Sequence, residues 1–363
     1  MYWVNKNELG KGGESMIKKK DVPVVIVTIM LIFLALQWFR VITIIVIGIL
    51  VLALMILGNF LFEFAMWKDA RIHLGTMQRQ SEKKKDEEKS DEEREWEKEQ
   101  EWERKWVRKN GGHIWIQNQN EMWLHSYYIE NQIESNQYVI LVHGYNGQGL
   151  DMAGEARRFY EQGYHIIMPD LRAHGQSDGF ARGMGWLDHF DLVEWISCIT
   201  TRFPNAEIVL MGVSMGAAAV MMTVGEQLPE NVKACIEDCG YTSVWEEFES
   251  VQKDIFHLPA YPVLYAASLI CKIRAGFWLQ EADCMKQLQK AAVPLLFIHG
   301  DQDHFVPFGM LKPLYYSAPR PKQKLVIQGA GHAESSRVNP KLYWDTIWTF
   351  LESVECRTSN PPL

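Results

Sequence analysis

From Tyr138 onward the chain alternates between short, continuously apolar runs and amphipathic stretches, and that alternation leaves few folds open. The runs are Tyr138–Val142, His165–Met168, Ile208–Met211, Ala234–Ile236, Leu295–Ile298 and Leu325–Ile327. Amphipathic stretches fall at 150–162, 186–202, 214–228, 283–291, 308–318 and 339–355. A strand apolar at every position must be buried on both faces, so this rhythm predicts an α/β fold with a mostly parallel central sheet covered by helices. Ile114–Ile116 and Met122–Ile129 read as an opening strand pair, turning at Asn118–Glu121. Residues 241–282 break the rhythm with no clear strand and many aromatics, which predicts a helical cap inserted over a pocket. Its aromatics Trp245, Phe248, Phe256, Tyr261, Tyr265, Phe277 and Trp278 predict an apolar substrate portion.

Gly212-Val213-Ser214-Met215-Gly216 follows the run Ile208–Met211 and opens a stretch rich in Ala and Met. A G-x-S-x-G pattern by itself occurs by chance. Between a buried strand and a helix it is a nucleophile elbow, where small flanking residues let a sharp turn expose the serine. Met211, Met215, Met221 and Met222 form an apolar stripe near it, read as core packing, with Met215 bordering the acyl pocket.

A serine hydroxyl at neutral pH needs a base and a group to orient that base. In this fold class the acid and then the histidine follow the serine along the chain. His332 lies in Gly329-Ala330-Gly331-His332, just past the strand Leu325–Ile327, and is the expected general base. Asp303 lies in His299-Gly300-Asp301-Gln302-Asp303 and is the expected orienting acid, with Asp301 as its competitor or a loop brace. The oxyanion of an acyl-transfer intermediate needs two N–H donors. Met215, at a helix N-terminus, supplies one, and Tyr145, in the loop after Tyr138–Val142, is the best candidate for the other. His143 precedes the serine and reads as a structural loop histidine.

Together with His143-Gly144, Asp170-Leu171-Arg172-Ala173-His174-Gly175-Gln176-Ser177 and Val306-Pro307, these motifs resemble the α/β-hydrolase superfamily over about residues 110–355. More narrowly, they resemble bacterial membrane-anchored hydrolases of the serine aminopeptidase or prolyl-oligopeptidase-like type. Glu237-Asp238-Cys239-Gly240-Tyr241-Thr242-Ser243 and the cap text from Leu258-Pro259 to Arg274-Ala275-Gly276 are similar to that group too. The resemblance implies the fold, the triad Ser214–Asp303–His332 and hydrolysis of esters or related acyl bonds. It makes the Arg172–His174 loop a brace. Aminopeptidase and thioesterase chemistry remain open within the same mechanism. A non-catalytic membrane scaffold is the reading from another class, and the intact order of the triad argues against it.

Residues 22–62 hold a single charge, Arg40. Val22 to Trp38 is 17 residues and Val41 to Phe62 is 22. The second run spans roughly 33 Å as a helix, enough for a ~30 Å hydrocarbon core. As one straight helix the block would be twice too long, with Arg40 in its middle. A two-helix transmembrane hairpin turning at Gln37-Trp38-Phe39-Arg40 is therefore expected, with one spanning helix as the alternative. A hairpin would set the lysines of the N-terminal polar segment (residues 1–21) and the catalytic domain on one cytoplasmic side. A single span would set the domain outside. Members of the resembled group carry one anchor, so the extra run departs from their pattern.

Residues 63–109 read as a charged helical stalk, and 82–109 alone hold 10 basic and 12 acidic residues. Trp96, Trp102 and Trp106 offer a stripe that docks on the globular domain or the bilayer surface. Residues 110–363 hold 18 basic and 28 acidic residues, so anchoring rests on the apolar block and a general nucleic-acid binder is disfavoured. Cys198, Cys235, Cys239, Cys271, Cys284 and Cys356 have no CxxC spacing and read as free thiols. No phosphate-binding glycine loop and no HExxH motif occurs, so no cofactor and no metal are expected. The expected partners are a small-molecule or peptide acyl substrate and a lipid bilayer.

Overall fold

A computed structural model describes residues 22–68 and 91–359. Eight strands form one sheet: β1 (Gly112–Gln117), β2 (Trp123–Ile129), β3 (Gln137–Val142), β4 (His165–Pro169), β5 (Glu207–Val213), β6 (Val232–Asp238), β7 (Leu295–Gly300) and β8 (Lys322–Ile327). Their spatial order is β1-β2-β4-β3-β5-β6-β7-β8. β1–β2 and β2–β4 are antiparallel, and every later pair is parallel. Each apolar run of the sequence is a strand here, because a strand flanked by helices on both faces can keep no polar side. Val139 to Val142, Leu210 and Leu295 to Ile298 are fully buried.

The helices are α1 (Val22–Met66), α2 (Asp91–Asn110), α3 (Ala153–Glu161), α4 (Trp186–Arg202), α5 (Met215–Thr223), α6 (Val244–Phe256), α7 (Ala260–Ala275), α8 (Cys284–Leu288), α9 (Leu311–Ser317), α10 (Ser335–Val338) and α11 (Pro340–Ser359). Helices α6 and α7 make up most of the interval without strands. Ser243 caps α6 through a side-chain bond from the Glu246 N–H, and Gly276 ends α7 in a left-handed conformation.

The N-terminal block departs from the hairpin expectation: α1 is one helix of 45 residues, about 67 Å long. No turn forms at Gln37–Arg40. That tetrapeptide contains neither Pro nor Gly, and the Thr43 hydroxyl bonds the Phe39 carbonyl at 2.8 Å across the expected break. The helix is long and apolar enough to cross a membrane.

Two compact units divide the chain at Ile56 and Leu57. The first contains the apolar turns of α1, whose side chains are largely exposed. The second contains the last turns of α1, and these are docked. Leu61, Phe62, Phe64 and Met66 are buried. A Cβ on Gly58 would stand 2.7 Å from the Ala266 carbonyl carbon, so only glycine lets α1 meet α7 this closely. Arg274 of α7 donates to Asn59 Oδ1 at 2.7 Å and to Glu63 Oε1 at 2.8 Å. The same guanidinium lies 4.2 Å above the Trp67 ring.

Of the expected stalk, residues 69–90 lie outside the described ones. Helix α2 packs on the globular domain. Val107 is fully buried, Trp106 meets Tyr160 edge-on at 5.1 Å, and Arg157 covers the Trp102 ring at 4.2 Å. Arg104 pairs with Asp151 at 3.0 Å.

Candidate active site

The parallel strands end at one level. Val142 pairs with Gly212, Val213 with Asp238, and Gly300 with Ile327. The loops that follow β3, β5, β7 and β8 therefore converge at one edge of the sheet, where α/β proteins place their ligands.

Ser214 sits between β5 and α5 with φ 59° and ψ −120°, a strained conformation for a residue with a side chain. Its neighbours must be small. A Cβ on Gly212 would lie 2.2 Å from the Gly216 carbonyl oxygen, and one on Gly216 would lie 2.2 Å from the Val142 oxygen. The Ser214 N–H donates to the Asp238 carbonyl at 2.8 Å, fixing the turn to the next strand.

His332 Nε2 is 2.9 Å from Ser214 Oγ, and His332 Nδ1 is 2.8 Å from Asp303 Oδ2. The three residues named from the sequence are thus brought into one hydrogen-bonded line. The Asp303 carboxylate is fully engaged. Oδ1 accepts from the Phe305 and Val306 N–H groups, each at 3.0 Å, and Oδ2 also faces His299 Nε2 at 3.3 Å. Burial alone would raise its pKa, yet the bonds from His299 and His332 hold it down to about 2. Asp301 lies elsewhere in the loop, where its Oδ1 accepts from the Gly329 N–H at 2.8 Å and ties the β7 loop to the one bearing His332.

The N–H groups of Tyr145 and Met215 donate to no acceptor among the described residues. Both residues line the cavity that contains Ser214. His143 is fully buried, with Nδ1 donating to the Gly144 carbonyl and Nε2 accepting from the Leu171 N–H. Burial holds this ring below the usual imidazole range, so it is a neutral spacer between two loops. Arg172 makes a bidentate pair with Asp191, both bonds at 2.7 Å.

Three contributors went unread in the sequence. His299 is the second imidazole on Asp303. It also donates to the Val306 carbonyl at 3.1 Å, and a histidine two residues before the acid pair was its only signal. Glu247, on α6, lines the same cavity as Ser214, and its Oε2 is buried with no partner among the described residues. Desolvation, reinforced by the Asp303 and Asp254 charges, pushes its carboxyl well above the usual range. Ala65, near the end of α1, also lines this cavity. Of the cap aromatics, Phe248 and Phe256 line apolar cavity walls. Phe277 is buried, whereas Tyr261, Tyr265 and Trp278 are exposed, so the cap turns only part of its aromatic surface inward.

Cys239 Sγ lies within 4.8 Å of the Asp303 and His332 polar atoms. Burial pushes its thiol well above the ordinary range, so it is a neutral packing group beside atoms already joined by hydrogen bonds. Cys198, Cys235, Cys239, Cys271 and Cys284 are all free.

An eight-stranded sheet in this order, with a strained serine turn at the carboxyl end of its fifth strand, is the α/β-hydrolase fold. A family model described as the alpha/beta hydrolase fold matches residues 137–260. The uncharacterized protein YqkD of Bacillus subtilis is 26% identical over 221 residues, covering 61% of this chain and 72% of YqkD. The mouse lysophosphatidylserine lipase ABHD12 is 26% identical over 208 residues, covering 55% of this chain and 48% of the lipase. Among solved structures, the Pyrococcus furiosus esterase Pf2001 superposes with a TM-score of 0.55 at 19% identity, covering 67% of this chain and 91% of the esterase.

Proposed function

We propose that this protein is a membrane-anchored serine hydrolase that cleaves a carboxylic ester or related acyl bond through an acyl-enzyme. The observation that carries the reading is the line from Ser214 through His332 to Asp303, with bonds of 2.9 and 2.8 Å. Ser214 Oγ attacks the carbonyl carbon as its proton passes to His332 Nε2. The Tyr145 and Met215 N–H groups hold the oxyanion that forms. The tetrahedral intermediate collapses, the bond to the leaving oxygen breaks, and His332 returns the proton to the departing alcohol. Water then attacks the acyl carbon with His332 as base, releasing the acid and restoring Ser214. Asp303, held ionised, orients the imidazole and stabilises its charged form. Thioester or aminoacyl amide cleavage would use the same steps with a different leaving group.

The apolar helix α1 supports anchoring in a membrane. With one helix instead of a hairpin, the positive-inside rule sets Lys18-Lys19-Lys20 inside and the hydrolase domain outside. Digestion of the domain by protease added to intact spheroplasts is the expected result, and protection would reverse this topology.

A fluorophosphonate probe tests the chemistry. Wild-type protein should be labelled and Ser214→Ala should not. Absence of labelling, or equal labelling of both, would leave the non-catalytic scaffold as the surviving reading.

A further inference from the structure

The cavity holding Ser214 does not stop at the cap. Ala65, Phe248 and Val251 are part of its lining. Those same three residues also line a second, apolar cavity. The two spaces are therefore neighbours that meet at these three residues, and together they extend from the nucleophile along the end of α1.

Their chemistry differs in a directed way. Around Ser214 the walls include the polar side chains of Tyr145, Tyr241 and Glu247. In the second cavity the walls are hydrocarbon and aromatic rings, from Leu61, Phe62 and Phe64 of α1 and from Phe256, Leu264 and Ala267 of the cap. Gln252 is the one polar residue in that lining. A peptide placed there would bury amides with almost nothing to pair them, at a cost of several kcal/mol. A hydrocarbon chain would bury nothing polar.

We propose that the two cavities form one channel for the acyl chain of a fatty-acid ester, with the carbonyl at Ser214 and the chain lying against residues 61–66 of α1. This rests on the serine-hydrolase reading and adds its substrate class. The source of the ester is the lipid phase, because the wall that receives the chain is the last part of the same helix that carries the apolar run. The anchor is then also part of the binding site. Glu247 stands at the polar end of the channel, where its unpaired oxygen faces the head of the ester and not its tail.

The test uses the full chain in detergent micelles. Hydrolysis of p-nitrophenyl esters is followed from two to sixteen acyl carbons, for wild type and for Ala65→Trp and Val251→Trp, which add bulk where the two cavities meet. Each buried methylene strengthens binding by up to about fourfold. Wild-type kcat/KM should therefore rise at least tenfold from the acetyl to the dodecanoyl ester. Each Trp variant should lower the dodecanoyl-to-acetyl ratio at least tenfold, mainly through KM. Should both variants fail to fold, the rate at which linear alkyl fluorophosphonates of increasing length label the wild-type protein carries the same information. A wild-type preference for acetyl esters, a labelling rate independent of chain length, or unchanged ratios in folded variants would each overturn the channel while leaving the hydrolase reading intact. No ester turnover and no labelling at any length would bring down the hydrolase reading, and the channel with it.

Discussion

The Tyr145 hydroxyl donates to the carbonyl oxygen of Ala65 at 2.5 Å, joining the loop after β3 to the end of α1 across 80 positions of sequence. One residue thus lines the Ser214 cavity and bonds the last turns of α1 through its side chain. Tyr145→Phe keeps the N–H and removes the tie. Removing a hydrogen bond to this part-buried carbonyl costs about 1 kcal/mol. The expected outcome is a melting temperature lower by several degrees and a kcat reduced less than tenfold. Calorimetry and ester kinetics check both, and a variant indistinguishable from wild type would mean that the tie holds nothing in place.

Asp303 and Asp301 lie two residues apart and do different things. Asp303 bonds His332, whereas Asp301 bonds the Gly329 N–H. Asp303→Asn should lower kcat by a thousandfold or more, because the amide selects the wrong imidazole tautomer. Asp301→Asn should cost less than tenfold, through loosening of the loop alone. Paired steady-state measurements decide, and the reverse ranking would reassign the acid.

The docking of α1 depends on close approach at Gly58. Gly58→Leu forces a side chain into the Ala266 backbone, with an overpacking cost of about 1–3 kcal/mol. Gly48→Leu adds its side chain where nothing lies within 4 Å. The first should lower the melting temperature of the detergent-solubilised protein, and the second should not. Equal effects would show that helix propensity, and not docking, governs both.

Stability should fall as the pH rises from mildly acidic to basic. Burial pushes the Glu237 carboxyl up to about 8, Asp188 to about 7 and Asp238 to about 6. The folded protein keeps these protons where the unfolded chain, with carboxyl pKa values near ~4, gives them up. Their stabilisation is full below about pH 4 and is lost as the pH climbs through 6 to 8. Asp303 has the opposite sign, since its contribution is present above about pH 4 and disappears toward pH 2. Melting temperatures between pH 4 and 9 should be highest at the acidic end, at about pH 4. Glu237→Gln should flatten the decline, and a melting temperature that rises from pH 5 to 8 would contradict the assignment.

Much of the fold was legible because its signals are local. Runs such as Tyr138–Val142 and Leu295–Ile298 are apolar at every position, and such short runs between amphipathic stretches fit only a sheet covered on both faces. Ser214 was legible because the strained turn demands Gly212 and Gly216 at fixed spacing, and His332 because it follows β8 directly. The expected hairpin failed for a local reason too. Length and Arg40 argued for a turn, but no residue at 37–40 breaks a helix.

By itself, then, the sequence determined the strand rhythm, the serine turn, the places of Asp303 and His332 after their strands and the apolar N-terminal run, since each depends on neighbours within a few positions. Only the tertiary structure decided which aspartate meets His332, that His299 shares it, that Glu247 lies buried beside Ser214, and that α1 ends as a wall of the cavity. Those relations join residues far apart in the chain, as Arg274 joins Asn59 across 215 positions. Periodicity reports which face of an element is buried, but the partner that buries it is chosen only when the whole sheet and its cap have packed.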